Sequence, residues 1–421
     1  MKKLLSIMLV ISIASLVCGS LVGCSSSTTS TTSAAGPLQQ KTILIGIDTP
    51  LTGPAAPYGL GQEHGVELAF DDANAAGGVT VGNTHYTFKC IALDDQYDTA
   101  TATNNIRQLV FQDGAQYIFT FQTEGTLAVN AELSQQKVID FTVVLDNSVI
   151  TQPTDDYTFR AFVSYPEQAT AYFQWIIQQY PTAKRMVLIT TNNTNGEIVQ
   201  AATQASCQAA GLTYVDSVLY DAGTTDFTPF LTKLLAEKPD MINMTGAPSG
   251  DDAVMINTAR SMGYTGLFVL SNNAASDLLP ITGAANIEGV LDTNLPPQAP
   301  FVSSITLALP GREVAKWGAS YGVTWDFYSQ ATIMYTAMKR ADSVDTTAVK
   351  NILQDPTQTW PYAAITGGVA KFDTPEAVAL VGAADATNQI LTPWAIDIIH
   401  NGQDVIQTII EPPGSTTSTT P

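Results

Sequence analysis

Ile43-Leu-Ile-Gly-Ile-Asp-Thr-Pro-Leu-Thr-Gly-Pro-Ala-Ala-Pro-Tyr-Gly59 opens the regular part of the chain. Ile43, Leu44, Ile45 and Ile47 make a nearly continuous apolar run, the pattern of a strand buried on both faces. Gly53 and Pro54 break the run into a loop. Beyond it, Val66, Ala69, Phe70 and Ala73 recur at i, i+3, i+4 and i+7, which predicts an amphipathic helix closing at Gly77-Gly78. Strand, glycine-bearing loop and helix are the first half of a β-α-β unit. In open α/β sheets, ligands sit at the carboxyl ends of strands, against helix N-termini. Tyr58, at the end of the loop, is therefore the first candidate ligand contact.

Working outward, strands and helices alternate steadily from Lys41, as parallel β-α-β layers require. Thr99 to Gln112 reads as a helix with Ala102, Ile106, Leu109 and Val110 on one face. Glu124 to Gln136 reads as a helix between strands at 117–121 and 138–144. The clearest helix is Glu167 to Tyr180, with Ala169, Tyr172, Phe173, Ile176, Ile177 and Tyr180 in one stripe. Helices at 196–211, 227–236 and 251–262 alternate with strands at 214–219, 241–244 and 267–271. Trp325 to Arg340 is a further helix. Asn401-Gly402, between two apolar runs, is a hairpin signal.

The formal charge of −20 argues against nucleic acid and against electrostatic docking on anionic lipid. Residues 1–23 read as a signal peptide: Lys2 and Lys3 are followed by an apolar stretch, Leu4 to Val17, too short to span a bilayer comfortably. Leu21-Val22-Gly23-Cys24 resembles a bacterial lipoprotein processing site, with Cys24 as the acylated residue. Residues 24–40, rich in Ser, Thr and Ala, have the composition of a tether. Residues 412–421 are expected to be disordered. Of the other cysteines, Cys18 would leave with the leader, while Cys90 and Cys207 are expected to be buried free thiols.

Three pieces in fixed order, "PLTGPAAPYG", "GVELAFDDANAAGG" and "LDDQYDTATA", resemble the opening of the leucine/isoleucine/valine-type solute-binding receptors of ABC importers, the type I periplasmic-binding proteins. "VDSVLYDAGTTDFTPFLTKLLAEKPDMI", "TARSMGYTGLFVLS" and "GAANIEGV" extend the likeness over most of the chain. The resemblance implies an α/β fold of two Rossmann-like lobes with parallel-sheet cores joined by three crossovers. Lobe 1 would take 41–162 and 293–385, and lobe 2 would take 163–292 and 386–411. A ligand would be trapped between them by hinge closure. The implied partners are a small-molecule ligand, ABC permease subunits and the membrane through the lipid anchor, the receptor itself being a monomer. No cofactor is implied.

Catalytic motifs are missing from the sequence. It contains no Gly-x-Ser-x-Gly elbow, no phosphate loop and no His-Glu-x-x-His, and His64, His85 and His400 lie far apart. Metal-ligand spacing is missing too. Asp71-Asp72 and Asp94-Asp95 read as solvated faces or helix caps. The expectation is thus a binding protein, not an enzyme; a ligand sensor without transport and an exported amidase-type enzyme are the rivals.

By the resemblance, Thr123-Glu124-Gly125-Thr126 is the loop that offers a hydroxyl and backbone N–H groups to a ligand carboxylate, with Glu124 where the hydroxyl usually stands. Asp146 falls at a second contact. Asn272 stands where the family places its ammonium-binding acid, Asn195 where it places an aromatic, and Tyr58 and Tyr328 match cleft aromatics. A fixed carboxylate is poorly matched to a ligand carboxylate in a closed cleft. Glu124 and Asp146 would instead hold a cation, with Tyr58, Phe121 and Tyr328 stacked on it. Their structural alternatives are a helix cap for Glu124 and a turn-amide acceptor for Asp146.

Overall fold

The apolar run at 43–47 lies in the third strand of a six-stranded sheet, covered on both sides. The computed structural model describes residues 38–152, 156–362, 369–372, 374–381 and 386–411. The leader, Cys24, the tether as far as residue 37 and the tail at 412–421 lie outside the described residues.

The first lobe begins with β1 (Gln39–Thr49), α1 (Ala56–Ala75), β2 (Val79–Val81), β3 (Thr84–Asp94), α2 (Thr99–Arg107), β4 (Tyr117–Thr120), α3 (Thr123–Gln136), β5 (Ile139–Thr142), β6 (Thr151–Gln152) and β7 (Thr158–Phe159). Its sheet has the order β2-β3-β1-β4-β5-β7, parallel except for the β2–β3 pair. Strand β1 takes up the last two residues of the stretch read as tether, since Gln39 and Gln40 pair with Thr84 and His85. Ile45 and Ile47 join a core with Phe70, Phe119, Phe141 and Met334 on one face, and Leu44 packs on Ile106, Leu109 and Ile118 on the other. That two-sided burial is why the strand is apolar without alternation.

The second lobe runs through α4 (Tyr165–Gln179), β8 (Arg185–Thr191), α5 (Thr194–Ala210), β9 (Thr213–Tyr220), α6 (Thr228–Ala236), β10 (Met241–Asn243), α7 (Ser249–Ser261), β11 (Leu267–Val269), α8 (Ala275–Thr282) and β12 (Leu291–Asp292). The chain then returns to the first lobe with α9 (Ser304–Trp317), α10 (Thr324–Ala341), α11 (Thr346–Leu353), β13 (Trp360–Pro361), β14 (Val369–Phe372), α12 (Pro375–Val381), β15 (Ala386–Thr387) and β16 (Ile390–Leu391). It ends as a hairpin, β17 (Trp394–His400) and β18 (Gln403–Ile410), on the second sheet, whose order is β18-β17-β12-β11-β10-β8-β9. The hairpin turns at Asn401 and Gly402, both at positive φ.

Three passages therefore link the lobes: after β7, after β12 and after β16. The last falls later than the sequence reading placed it. β15 pairs with β6 and β16 with β14, so residues 386–391 belong to first-lobe strands and the second lobe resumes near Trp394. Cys90 and Cys207 are free thiols on different lobes; Cys207 is buried as expected, whereas Cys90 is only half-buried.

Candidate functional site

The loop between β1 and α1 is tied down by Asp94 at the end of β3. Its Oδ1 accepts from the Leu51 and Thr52 amides at 2.8 and 3.3 Å, and its Oδ2 accepts from the Thr52 hydroxyl at 2.6 Å. Burial pushes this carboxyl up, but the Thr52 hydroxyl and the amides of Gln96, Leu51 and Thr52 outweigh that and hold it below its ordinary value. So Asp94 braces the loop, while Asp95 is buried and accepts from the Tyr97 amide at 2.6 Å rather than forming a solvated face. Gly59 lies where α1 passes the end of the strand; a Cβ there would come within 1.8 Å of the Pro50 carbonyl oxygen. Loop and helix together aim Tyr58, in the first turn of α1, into a cavity of about 140 Å³ between the lobes.

Seven aromatic residues among those described line it. Tyr58, Tyr97 and Phe121 come from the first lobe, Tyr165 from the second and Phe162 from the first passage between them. Trp325 and Phe327 close it from the start of α10. Tyr58 and Phe121 stack with centroids 6.2 Å apart. Polar groups are few. Thr123 begins α3, Asn195 stands in the first turn of α5, and Ser271 and Asn272 follow β11. Asn272 is held at φ 60°, a conformation asparagine tolerates better than most residues. Among the described residues, the buried Thr245 hydroxyl has no hydrogen-bonding partner other than the neighbouring Tyr165 hydroxyl.

Among the described residues, Asp326 is the only charged side chain in the lining. Its Oδ2 accepts from Gln330 Nε2 at 3.0 Å and its Oδ1 faces the Tyr362 hydroxyl at 3.5 Å. Burial pushes the carboxyl up to about 7, against the lowering effect of those two donors.

Of the residues singled out from the sequence, Tyr58, Thr123, Asn195 and Asn272 line this cavity. Glu124, Asp146 and Tyr328 do not. Glu124 Oε1 accepts from the Thr194 amide at 2.8 Å and its Oε2 accepts from Gln122 Nε2 at 2.6 Å. Asp146 Oδ1 accepts from the Ser148 amide at 2.8 Å, the turn-amide arrangement, and its charge faces the buried Arg160 guanidinium. Tyr328 packs between α10 and α1 and donates its hydroxyl to Asp72 at 2.7 Å. One residue after Phe327, Tyr328 is turned by about 100° around the helix axis and projects onto α1.

Tyr97, Phe162, Trp325 and Asp326 were missed. Tyr97 was within reach of the strand-end rule, since it follows β3 in the "LDDQYD" motif. Phe162, Trp325 and Asp326 enter through the lobe crossing and the packing of α10, which leave no local signal.

Two α/β lobes joined by three strands of chain, with an aromatic pocket at their seam, define a cleft-type ligand-binding protein. The chain belongs to the periplasmic binding protein family, whose model matches residues 42–394. It is 26% identical over 257 residues to an amino acid binding protein of Pseudomonas aeruginosa, covering 60% of this chain and 66%, a little under two thirds, of that one. To the Leu/Ile/Val-binding protein homolog 3 of Brucella melitensis it is 23% identical over 317 residues, 74% of this chain and 83% of the relative. The crystal structure of the leucine binding protein LivK from Thermotoga maritima superposes with a TM-score of 0.71 at 20% identity, covering 88% of this chain and 99% of that chain. At that identity the likeness is one of fold, and it agrees with the two-lobe resemblance read from the motifs.

Proposed function

We propose that this chain is the extracytoplasmic substrate-binding lipoprotein of an ABC importer and that its ligand is a branched-chain amino acid or a related amine of similar size. The observation that carries the reading is the cavity: aromatic walls, a handful of hydroxyls and amides, and one carboxylate, Asp326. Its 140 Å³ suits a small apolar body, since an apolar cavity of about 150 Å³ holds benzene. Asp326 is the group that receives the ligand's ammonium. Thr123, Thr245 and Ser271 offer hydroxyls to its other end. The names of the amino acid and Leu/Ile/Val-binding relatives support this ligand class. The permease would dock on the closed lobes, with the receptor acting as a monomer and catalysing nothing.

Titration calorimetry with L-leucine, 4-methylpentanoate and isopentylamine separates the parts of the claim. L-leucine and isopentylamine should bind, and 4-methylpentanoate, which lacks the amine, should bind far more weakly. Asp326→Asn should weaken L-leucine by about tenfold to a hundredfold, the range of hydrogen bonds to charged groups. Affinity should rise between pH 6 and 8, as Asp326, protonated below about 7, becomes the carboxylate that a cation requires. If 4-methylpentanoate matches L-leucine, the ammonium assignment to Asp326 fails.

Anchoring rests on the leader, Leu21-Val22-Gly23-Cys24 and the Ser/Thr-rich tether. Two or more acyl chains give stable attachment where one does not. Cys24→Ala should move the protein from the membrane to the soluble fraction; continued sedimentation with membranes would sink the lipoprotein reading.

A further inference from the structure

Among the described residues, four contacts near the cavity run from one lobe to the other. The Gly250 amide donates to the Pro54 carbonyl at 3.1 Å, Tyr58 faces Ser249, Tyr97 faces the Asn193 side chain, and the Thr194 amide donates to Glu124 Oε1. The last differs in kind. Thr194 is the first residue of α5, and the first amides of a helix have no partner within it. Asn193 caps the same end by accepting from the Gly196 amide at 2.9 Å. The Thr194 amide is left over, and a carboxylate from the opposite lobe takes it. Negative charge at a helix N-terminus is also favoured by the aligned peptide dipoles.

On its own lobe Glu124 is already set. Gln122 Nε2 donates to its Oε2 and to Thr99 Oγ1, while Gln122 Oε1 accepts from the Gly125 amide. That bracket fixes the carboxylate at the start of α3 with its second oxygen pointing across the cleft. Opening the lobes would break one charged hydrogen bond and leave the rest of the bracket intact.

We propose that Glu124 is the latch of the closed lobes: a positioning residue that sets ligand affinity by capping α5 across the cleft, without touching the ligand. It rests on the reading of the cleft as the binding site. Each closed-lobe contact raises the binding-competent fraction, and apparent affinity scales with that fraction. The carboxylate that the motif places in the ligand loop thus acts on the lobe equilibrium.

The test uses the mature chain and its Glu124→Ala and Glu124→Gln variants. In the ligand-free protein, hydrogen exchange at the Thr194 amide should be at least about tenfold faster in Glu124→Ala than in wild type, as for loss of one charged hydrogen bond. The radius of gyration from small-angle scattering should increase. Glu124→Gln keeps an acceptor oxygen and should fall between the two. With L-leucine as probe, affinity should drop about tenfold in Glu124→Ala while the ligand-free melting temperature hardly moves. A role confined to α3 would instead lower the melting temperature and leave Thr194 exchange unchanged, and that result overturns the latch. If L-leucine fails to bind wild type, the ligand reading falls, and the exchange and scattering data on ligand-free protein still decide for or against Glu124.

Discussion

Arg160, at the end of the first lobe's sheet, is fully buried and every arm of its guanidinium is occupied. Nη1 donates to the Val144 and Leu145 carbonyls at 3.0 and 3.1 Å, and Nη2 to Asn147 Oδ1 at 2.7 Å and Glu167 Oε1 at 3.2 Å. Nε donates to Gln389 Oε1 at 2.6 Å, and Gln389 Nε2 reaches the Phe162 carbonyl. This one side chain joins the first passage, the segment before the last passage and the opening turn of α4 in the second lobe. A buried pair is weak evidence for net stability, but breaking one strands the other charge. Arg160→Met should therefore destabilise the protein by roughly 3–5 kcal/mol in urea unfolding, because Glu167 and the carbonyls lose their donor. A loss under about 1 kcal/mol would mean that water replaces the guanidinium at little cost.

Among the elements, α1 and α10 pack closely against each other beside the site. Gly65 makes their approach possible: a Cβ there would lie 2.4 Å from the Thr324 carbonyl oxygen. The crossing brings the start of α10, with Trp325 and Asp326, beside Tyr58, so a helix contact inside one lobe places residues from opposite ends of the sequence in one wall. Arg312 and Lys316 of α9 hold the outer face of α1 through Asp72, Glu67 and Asp71 at 2.7–2.9 Å. Helices α8 and α9 escaped the sequence reading because Pro280 and Pro310 lie inside them. Proline usually ends a helix. The predicted helix 99–112 runs as α-helix only to Arg107 and continues as a π-helical turn, Gln108–Gln112.

For the whole molecule, the distribution of acid matters more than its total. Burial pushes Asp48 up to about 9, Asp140 to about 8, and Asp95 and Asp277 to about 7. Each group binds its proton more tightly folded than unfolded. Its stabilising protonation is complete below the ordinary aspartate value near 4, and is lost as pH climbs through the raised value. The opposite shifts, at Asp98, Asp226 and Asp355, belong to exposed carboxylates whose partners are screened by water. The net charge of −20 also eases on acidification. The melting temperature should thus rise by about 5 °C or more from pH 8 to pH 5. A flat or falling profile over that interval would show that the buried carboxyls have access to water.

Local pattern determined much of this protein. The two-sided apolar strand at 43–47, the helix stripe at 167–180 and the Asn401-Gly402 turn are short-range facts of burial and backbone geometry, and they mark the α/β architecture. Tyr58 was legible because loop and helix spacing fix its position within a few residues. Where a carboxylate points is different. Glu124 begins a helix beside the cleft, and nothing nearby in sequence says whether it faces a ligand or the end of α5. That choice depends on Thr194, 70 positions away, whose amide has no partner within its own helix. Asp146 faces Arg160 and Tyr328 donates to Asp72 because packing of other elements brings those partners within reach, which the local pattern does not state. Asp326 entered the cavity wall only because α10 crosses α1 at Gly65. Periodicity is a property of one element, whereas the partner of a charge is a property of the assembled whole.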